Sequence, residues 1–196
     1  IKYIQEAGVK KLILMSHLGR PDGKVVEKSR LTPVSKRLSE ILGEPVLQLK
    51  DCIDNEVKQQ IDNSKERIIL LENLRFHAEE EENDLEFAKK LASLGEIFVN
   101  DAFGTAHRAH SSITGINLPV KAAGYLMNKE ISYFSKALEN PNRPLLVILG
   151  GAKVKDKIKL IMSILDVANV FFFLLIFSYS FVINKQYQNS VIKLIF

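Results

Sequence analysis

The sequence predicts an α/β protein in which helices cover both faces of a mostly parallel β-sheet. Strand-like runs that are apolar throughout alternate along the chain with segments of helical periodicity. Such runs are typical of strands that are buried on both faces, as they are in parallel sheets. A chain of 196 residues with 46% hydrophobic and 26% charged residues has the composition of an ordinary globular protein.

Five apolar runs are expected to form the strands of this sheet. Each run is short, is bounded by polar or turn-forming residues, and carries aliphatic side chains at successive positions. In chain order the predicted strands are 11–16, 45–49, 67–73, 96–101 and 144–151.

The segments between these runs carry helix signals. Thr32 is the expected N-cap of the first helix, with Pro33 as its first residue and Gly43 as its stop. Asn83 or Asp84 is the expected cap of the third helix. In chain order the predicted helices are 31–43, 54–63, 83–95, 127–140 and 152–166.

Both ends of the sequence are unusual. The opening "IKYIQEAGVKK" has no methionine and no signal-peptide pattern, and it reads as the tail of an amphipathic helix, so a missing beginning is expected. The segment 170–183 is rich in phenylalanine, but it is shorter than the ~20 apolar residues of a membrane helix. A buried strand, a translation artefact and a marginal membrane anchor are three interpretations of this segment.

The charge and the cysteine content narrow the classes of function. A net charge of +4 and an isoelectric point of about 9.0 favour a small anionic ligand. The chain has no basic stripe with interleaved aromatic residues, so a nucleic-acid module is a minor alternative.

Cys52 is the single cysteine, which excludes an internal disulfide and fits a reducing compartment. We expect its thiol to be passive.

All four histidines lie close to an arginine, and each of these basic segments follows a predicted strand. The segments contain His17 with Arg20, Arg75 with His77, and Arg108 with His107 and His110. Because the carboxyl ends of parallel strands face one edge of an open sheet, we expect these side chains to meet there.

Arginine side chains at one sheet edge indicate an anion site. The planar guanidinium binds phosphate or carboxylate through two hydrogen bonds, and histidine adds a hydrogen bond or a tunable charge. Solvent-facing or ion-paired arginines are the alternative for any single segment. A zinc site is a weaker interpretation, because no carboxylate or further ligand accompanies the histidines at a usual interval. We expect the glutamate run 79–82 to be a solvated loop or helix start.

A second site is indicated where the last predicted strand meets its helix. Gly150 and Gly151 allow a ligand to approach the backbone, and a helix start offers free N–H groups to phosphate. Lys153 and Lys157 are four residues apart and share one helix face. The pattern is not the common phosphate-loop motif, so a glycine-rich turn with surface lysines is the alternative.

Four segments together closely resemble phosphoglycerate kinase: "LMSHLGRPDG", "LLENLRFH", "VNDAFGTAHRAHSS" and "ILGGAKVKDKI", in that order. The resemblance runs from Ile1 to about Asp166. It implies a Rossmann-like, three-layer α/β/α fold of the family's N-terminal domain, here incomplete. It further implies reversible phosphoryl transfer between ATP and 3-phosphoglycerate, in glycolysis, with magnesium.

The resemblance also assigns roles to residues. Arg20, Arg75 and Arg108 would hold the phosphoglycerate with His17, within a segment that includes Leu18 and Gly19. His107 and His110 would line the same site. Gly150, Gly151, Lys153 and Lys157 would bind the ATP or ADP phosphates, and Lys153 and Arg20 would be catalytic. No protein metal ligand is implied.

The departures from the family pattern set the expected domains. They are a phosphoglycerate-binding N-terminal domain over 1–140 without its first strand, a hinge and start of the nucleotide-binding domain over 141–166, and an atypical apolar tail over 167–196. A linker is expected at 139–144, which carries two prolines. We expect a catalytically incomplete, cytoplasmic monomer that binds no nucleic acid and no membrane. A non-catalytic anion-binding remnant is the alternative function.

Overall fold

The computed structural model describes residues 1–139, 141–150, 158–174, 180–184 and 192–194. The chain divides into two compact units, Ile1–Met127 and Asn128–Phe196. The linker expected at 139–144 lies inside the second unit. The assignment of domains to the three segments given above stays a prediction.

The first unit contains a three-stranded parallel sheet. Its strands are β1 (Leu12–Leu14), β2 (Val46–Gln48) and β3 (Ile68–Leu70), in the spatial order β1-β3-β2. Both outer strands pair in parallel with β3, and Ile68 is opposite the first residue of each. All three residues of β3 are buried, which the uninterrupted apolar run predicts for a central strand.

A second parallel pair lies in the same unit. It consists of β4 (Ile97–Asn100) and β5 (Val120–Ala123). The sequence analysis missed β5, because "VKAA" is neither a continuous apolar run nor an alternating pattern and its side chains are all exposed. Four predicted strands of the chain up to residue 101 are therefore confirmed, each shorter than its apolar run.

The helices follow the predicted segments closely. They are α1 (Lys2–Glu6), α2 (Thr32–Leu42), α3 (Asn55–Asn63), α4 (Ala78–Glu82), α5 (Leu85–Ala92), α6 (Tyr125–Leu138) and α7 (Ile158–Leu165). The glutamate run forms α4, so it is a helix rather than a loop.

Local capping signals explain where several of these helices begin and end. The Oδ1 atoms of Asp54 and Asp84 accept the backbone N–H of the residue three positions later, at 3.0 and 2.7 Å. Gly43 ends α2 with a φ of +73°, a left-handed conformation that favours glycine.

The expected N-cap of α2 is wrong by one residue. Leu31 holds the N-cap position and has no side chain that can cap the helix, while Thr32 already lies in the first turn. The buried Glu72 serves this end of the helix instead. Its Oε1 accepts the N–H groups of Leu31 and Asn73 at 2.9 Å, and its Oε2 accepts from Arg30 at 3.0 Å.

In the first unit, a hydrophobic core lies between the three-stranded sheet and helices α3 and α5. Its fully buried members are Leu49, Cys52, Val57, Ile61, Ile69, Leu71, Leu74, Phe87, Leu91 and Ile116. Burial raises the pKa of the Cys52 thiol far above its ordinary value, since the thiolate would lose its hydration. The passive thiol expected from the sequence is thereby confirmed.

The second unit has a mixed sheet. Its strands are β6 (Leu146–Gly150), β7 (Val170–Leu174), β8 (Ser180–Asn184) and β9 (Ile192–Leu194). Strands β6 and β7, which α7 connects along the chain, pair in parallel. The pairs β7–β8 and β8–β9 are antiparallel. Part of the phenylalanine-rich segment is therefore a β-strand. Among the described residues, no helix combines the length and the apolar character needed to cross a membrane.

Replacing Glu72 with alanine should destabilise the chain by about 2–4 kcal/mol. The reason is that the buried N–H groups of Leu31 and Asn73 would each lose their acceptor, at about 1–3 kcal/mol apiece. Urea unfolding measures the difference. Glu40→Ala, which removes an exposed carboxylate paired with Arg37, should cost at most about 1 kcal/mol. Equal losses in the two variants would contradict the proposed role of Glu72.

Candidate functional site

The loops that follow β1 and β3 are hydrogen-bonded to each other. The Nη1 of Arg75 donates to the carbonyl oxygen of Gly19 at 3.0 Å. The Nδ2 of Asn73 donates to the carbonyl oxygen of Leu18 at 2.8 Å. Two of the three basic segments predicted from the sequence are therefore held together at the carboxyl ends of neighbouring strands.

Asn73 is the centre of this junction. It is 0% exposed, and its Nδ2 also donates to the carbonyl oxygen of Ser29 at 2.8 Å. Its Oδ1 accepts the backbone N–H of Arg75 at 3.0 Å, which begins a short 3-10 turn over Leu74–Phe76. The sequence analysis placed Asn73 at the end of the predicted strand 67–73 and missed its role, although an asparagine that closes an apolar run is a detectable signal for such a turn.

Gly19 has a structural reason to be glycine. Its φ of +71° lies in the left-handed region, and a Cβ atom there would approach the Oγ of Ser29 to 3.2 Å. Leu18 and Gly19 thus meet the second loop through their carbonyl groups. Their expected role in substrate binding stays a prediction, as does that of Arg20, which is exposed in the same loop.

The third basic segment is fixed by the two serines that follow His110. Ser112 donates to the Glu80 carboxylate through its backbone N–H at 3.0 Å and its hydroxyl at 2.6 Å. The Ser111 hydroxyl lies 2.7 Å from the carbonyl oxygen of Glu79 and 3.0 Å from that of Asp84. The loop carrying Arg108 and His110 is therefore attached to helices α4 and α5.

Glu80 corrects the expectation of a solvated glutamate run. Its side chain is buried, and burial raises the pKa of its carboxyl group although the hydrogen bonds from Ser112 oppose this effect. The sequence could not reveal it, because a four-glutamate run gives no sign of which member faces a partner 32 residues away. Glu79 and Glu82 are exposed, as expected.

The three loops bring their charges together. The pKa of His17 is lowered, first by burial and then by the positive charges of Arg75, His110 and Arg108. The pKa of His110 is lowered by burial, Arg75, Arg108 and His107, and Glu81 opposes this effect. The Nδ1 of His110 also lies 3.8 Å from Glu80. We call this group the basic patch; it consists of His17, Arg75, His107, Arg108 and His110.

Arg75 is the buried centre of the basic patch. Its side chain is only 6% exposed, and its Nε lies 3.4 Å from Glu81 in an ion pair without hydrogen-bond geometry. In the described part of the chain, this Nε is one of two buried side-chain polar atoms that have no hydrogen-bond partner. A buried cationic donor without a partner is suited to donate a hydrogen bond to an oxygen of a bound anion.

Comparison with known proteins identifies the family. The family model described as phosphoglycerate kinase matches residues 1–192. The chain belongs to the phosphoglycerate kinase family. The match continues past Asp166, where the resemblance read from the sequence pattern ended.

Individual phosphoglycerate kinases give the same result. The chain is 55% identical to that of Tetrahymena pyriformis over 85% of its own length and 48% of the relative's, and 54% identical to that of Plasmodium falciparum (isolate 3D7) over 85% and 44%. It thus spans about half the length of the curated relatives it matches.

The solved phosphoglycerate kinases of Coxiella burnetii and Pyrococcus horikoshii OT3 superpose with TM-scores of 0.71 and 0.76, at 36% and 31% identity. They cover 88% and 89% of this chain and 44% and 45% of their own. The Rossmann-like α/β fold is therefore shown.

His77 does not join the basic patch of this phosphoglycerate kinase chain. Its Nε2 lies 2.6 Å from the Oδ1 of Asp51, which also accepts the backbone N–H of Cys52 at 2.7 Å. These three residues are the group within the described residues whose side chains could hold a metal ion together. The shared carboxylate oxygen already accepts two hydrogen bonds, so the arrangement works as an ion pair beside the core.

The predicted nucleotide-binding segment lies mostly outside the described residues. Gly150 is the last residue of β6. Gly151, Lys153 and Lys157 fall within 151–157, which the structure does not describe. Their expected role stays a prediction from the sequence.

Removing the Glu80 carboxylate should release the loop that carries Arg108 and His110. Glu80→Ala leaves the buried N–H of Ser112 without an acceptor, which costs about 1–3 kcal/mol of unfolding free energy. Urea unfolding measures this loss, and amide exchange should show faster opening at Ser112. Glu79→Ala is the matched control, because the Glu79 side chain is exposed and only its carbonyl oxygen is used. Similar stability of both variants would contradict the role of Glu80 in holding this loop.

The His77–Asp51 pair should give stability that depends on pH. Its hydrogen bond raises the pKa of His77 above 6.5, against burial. Burial raises the pKa of Asp51, but the hydrogen bonds from His77 and Cys52 prevail and hold it below 3.8. The raised histidine pKa stabilises the fold fully below 6.5 and loses this effect as pH rises through the folded value. The lowered pKa of Asp51 stabilises the fold above pH 3.8, and this contribution is lost as pH falls through the folded value.

An NMR pH titration of the Asp51→Asn variant tests this pair. The pKa of His77 should fall, and the stability difference from the parent chain should shrink as pH rises from about 6.5 through the raised pKa of His77 in the folded parent. Asp62→Asn, at an exposed position, should leave the titration of His77 unchanged. An unaltered His77 pKa in Asp51→Asn would refute the pairing.

Proposed function

We propose that this chain is the phosphoglycerate-binding part of an enzyme that transfers a phosphoryl group reversibly between ATP and 3-phosphoglycerate. The observation that carries the proposal is the basic patch, with the unpartnered Nε of the buried Arg75 at its centre. Membership of the phosphoglycerate kinase family supports the choice of ligand. The location is the cytoplasm, the process is glycolysis and the active form is a monomer.

The patch residues hold and orient the substrate. Arg75 and Arg108 place guanidinium groups where the phosphate or the carboxylate of 3-phosphoglycerate takes paired hydrogen bonds. Arg20, an exposed residue of the loop after β1, supplies a third guanidinium. His17 is neutral at pH 7 because its pKa is lowered, so it can donate from one ring nitrogen and accept at the other.

The chemistry requires no side-chain nucleophile. A carboxylate oxygen of 3-phosphoglycerate attacks the γ-phosphorus of ATP, the new P–O bond forms, and the bond to the β-phosphate oxygen breaks as ADP leaves. Such a transfer depends on positioning and on neutralising the charge of the equatorial oxygens. Fixed guanidinium groups in a partly buried patch serve both needs.

The nucleotide site is assigned to Gly150, Gly151, Lys153 and Lys157. Gly150 ends β6, a strand parallel to β7, and ligands of open α/β sheets bind beyond such carboxyl ends. The lysines would neutralise the phosphates, with Lys153 acting on the transferring group. Magnesium supplies further charge neutralisation on the nucleotide phosphates when it is bound.

A non-catalytic anion-binding protein is the second candidate function. It needs only the basic patch with the unpartnered Nε of Arg75, and no nucleotide site. A coupled assay of ATP turnover distinguishes the two candidates. Turnover that requires 3-phosphoglycerate supports the kinase, whereas binding without turnover supports the second candidate.

Arg108→Ala should weaken the binding of 3-phosphoglycerate by about 1.5–3 kcal/mol, the scale of a charge-assisted hydrogen bond. Isothermal titration calorimetry of the chain measures this loss. Arg37→Ala is the control, because Arg37 is an exposed residue of α2 paired with Glu40. Unchanged affinity in Arg108→Ala would remove that residue from the site.

A further inference from the structure

Glu81 brings a negative charge into the basic patch. Its Oε1 lies 3.4 Å from the Nε of Arg75, and its side chain is 36% exposed. Its charge acts on both His17 and His110, where it opposes the effect of the arginines. A site made for anions therefore contains a carboxylate of its own.

The contact between Glu81 and Arg75 is weak enough to be displaced. The two groups attract by charge, but the Nε has no hydrogen-bond partner. The Nη1 of Arg75 is already bonded to the carbonyl oxygen of Gly19, which fixes the guanidinium independently of Glu81. A ligand oxygen can thus take the Nε–H while the partly exposed carboxylate turns toward water.

The position of Glu81 is set by its neighbour. Glu80 is buried and accepts two hydrogen bonds from Ser112, which anchors α4 against the loop that follows β4. The next residue of the helix then faces Arg75. Glu82, the last residue of α4, is exposed and makes no comparable contact among the described residues.

We propose that Glu81 is a specificity-determining counter-charge, which lowers the affinity of the basic patch for anions until a ligand with more than one anionic group displaces it. This inference rests on the proposed function for the identity of the ligand. A single small anion is attracted by Arg75 but is repelled by the nearby Glu81 carboxylate. A ligand with both a phosphate and a carboxylate also reaches Arg108, so its gain exceeds the repulsion from Glu81.

The binding test compares two variants with the same change in net charge. Glu81→Gln should bind 3-phosphoglycerate about 3- to 10-fold more tightly than the parent chain, the effect expected for one partly exposed charge near the ligand. Inorganic phosphate should gain more than 3-phosphoglycerate does, so discrimination between the two ligands falls, and equal gains would contradict a role in specificity. Glu82→Gln should change either affinity less than twofold. Tighter binding cannot result from a damaged fold.

An NMR titration without ligand tests the counter-charge separately. The groups facing His17 are Arg75, Arg108, His110 and Glu81, and those facing His110 are Arg75, Arg108, His107, Glu80 and Glu81. In Glu81→Gln the pKa of both histidines should fall, and in Glu82→Gln it should not. If neither pKa moves, or if Glu81→Gln binds both anions no more tightly than the parent, the inference is wrong.

The two arms separate this inference from the proposed function. A parent chain that binds no 3-phosphoglycerate would overturn the proposed function. The histidine titrations and the binding of inorganic phosphate would still decide whether Glu81 opposes anions in the patch.

Discussion

The buried side-chain amide of Asn73 is the interaction on which the basic patch depends. It donates to backbone carbonyls from two separate stretches, at Leu18 and Ser29, and it accepts from the backbone of Arg75. The bonds to Ser29 and Arg75 are buried, so breaking them leaves groups without water or a partner and costs more than an ordinary hydrogen bond contributes. One amide thus fixes the loop after β1, the approach to α2 and the backbone turn that carries Arg75.

Helix α4 shows how neighbouring identical residues acquire opposite tasks. Glu80 is inside, with hydrogen bonds that hold a loop in place, while Glu81 is at the surface and acts through its charge alone. The first task needs a dry environment and good geometry, and the second needs only proximity and freedom to move. Neighbouring residues of one short helix therefore act on the basic patch in two ways, one through hydrogen bonds to a loop and one through charge.

The features that the sequence predicts correctly are those encoded locally. Strands follow from continuous apolar runs, and the ends of helices follow from Asp54, Asp84 and Gly43, because each cap is made within a few residues. The missed features depend on distant partners. Thr32 is not the N-cap of α2, because the backbone N–H of Leu31 at this helix end donates to Glu72, 41 residues away. Strand β5 forms only by pairing with β4. The convergence of the basic loops was predictable from topology, but the turn of His77 toward Asp51 was not.

The single cysteine has a practical consequence. Cys52 is 0% exposed within the core formed by the sheet and helices α3 and α5, and its thiol stays protonated because burial disfavours the thiolate. A thiol reagent can reach it only when that core opens, since reaction needs both access and the ionised sulfur. The rate at which Cys52 is alkylated therefore reports how often the core of the first unit opens.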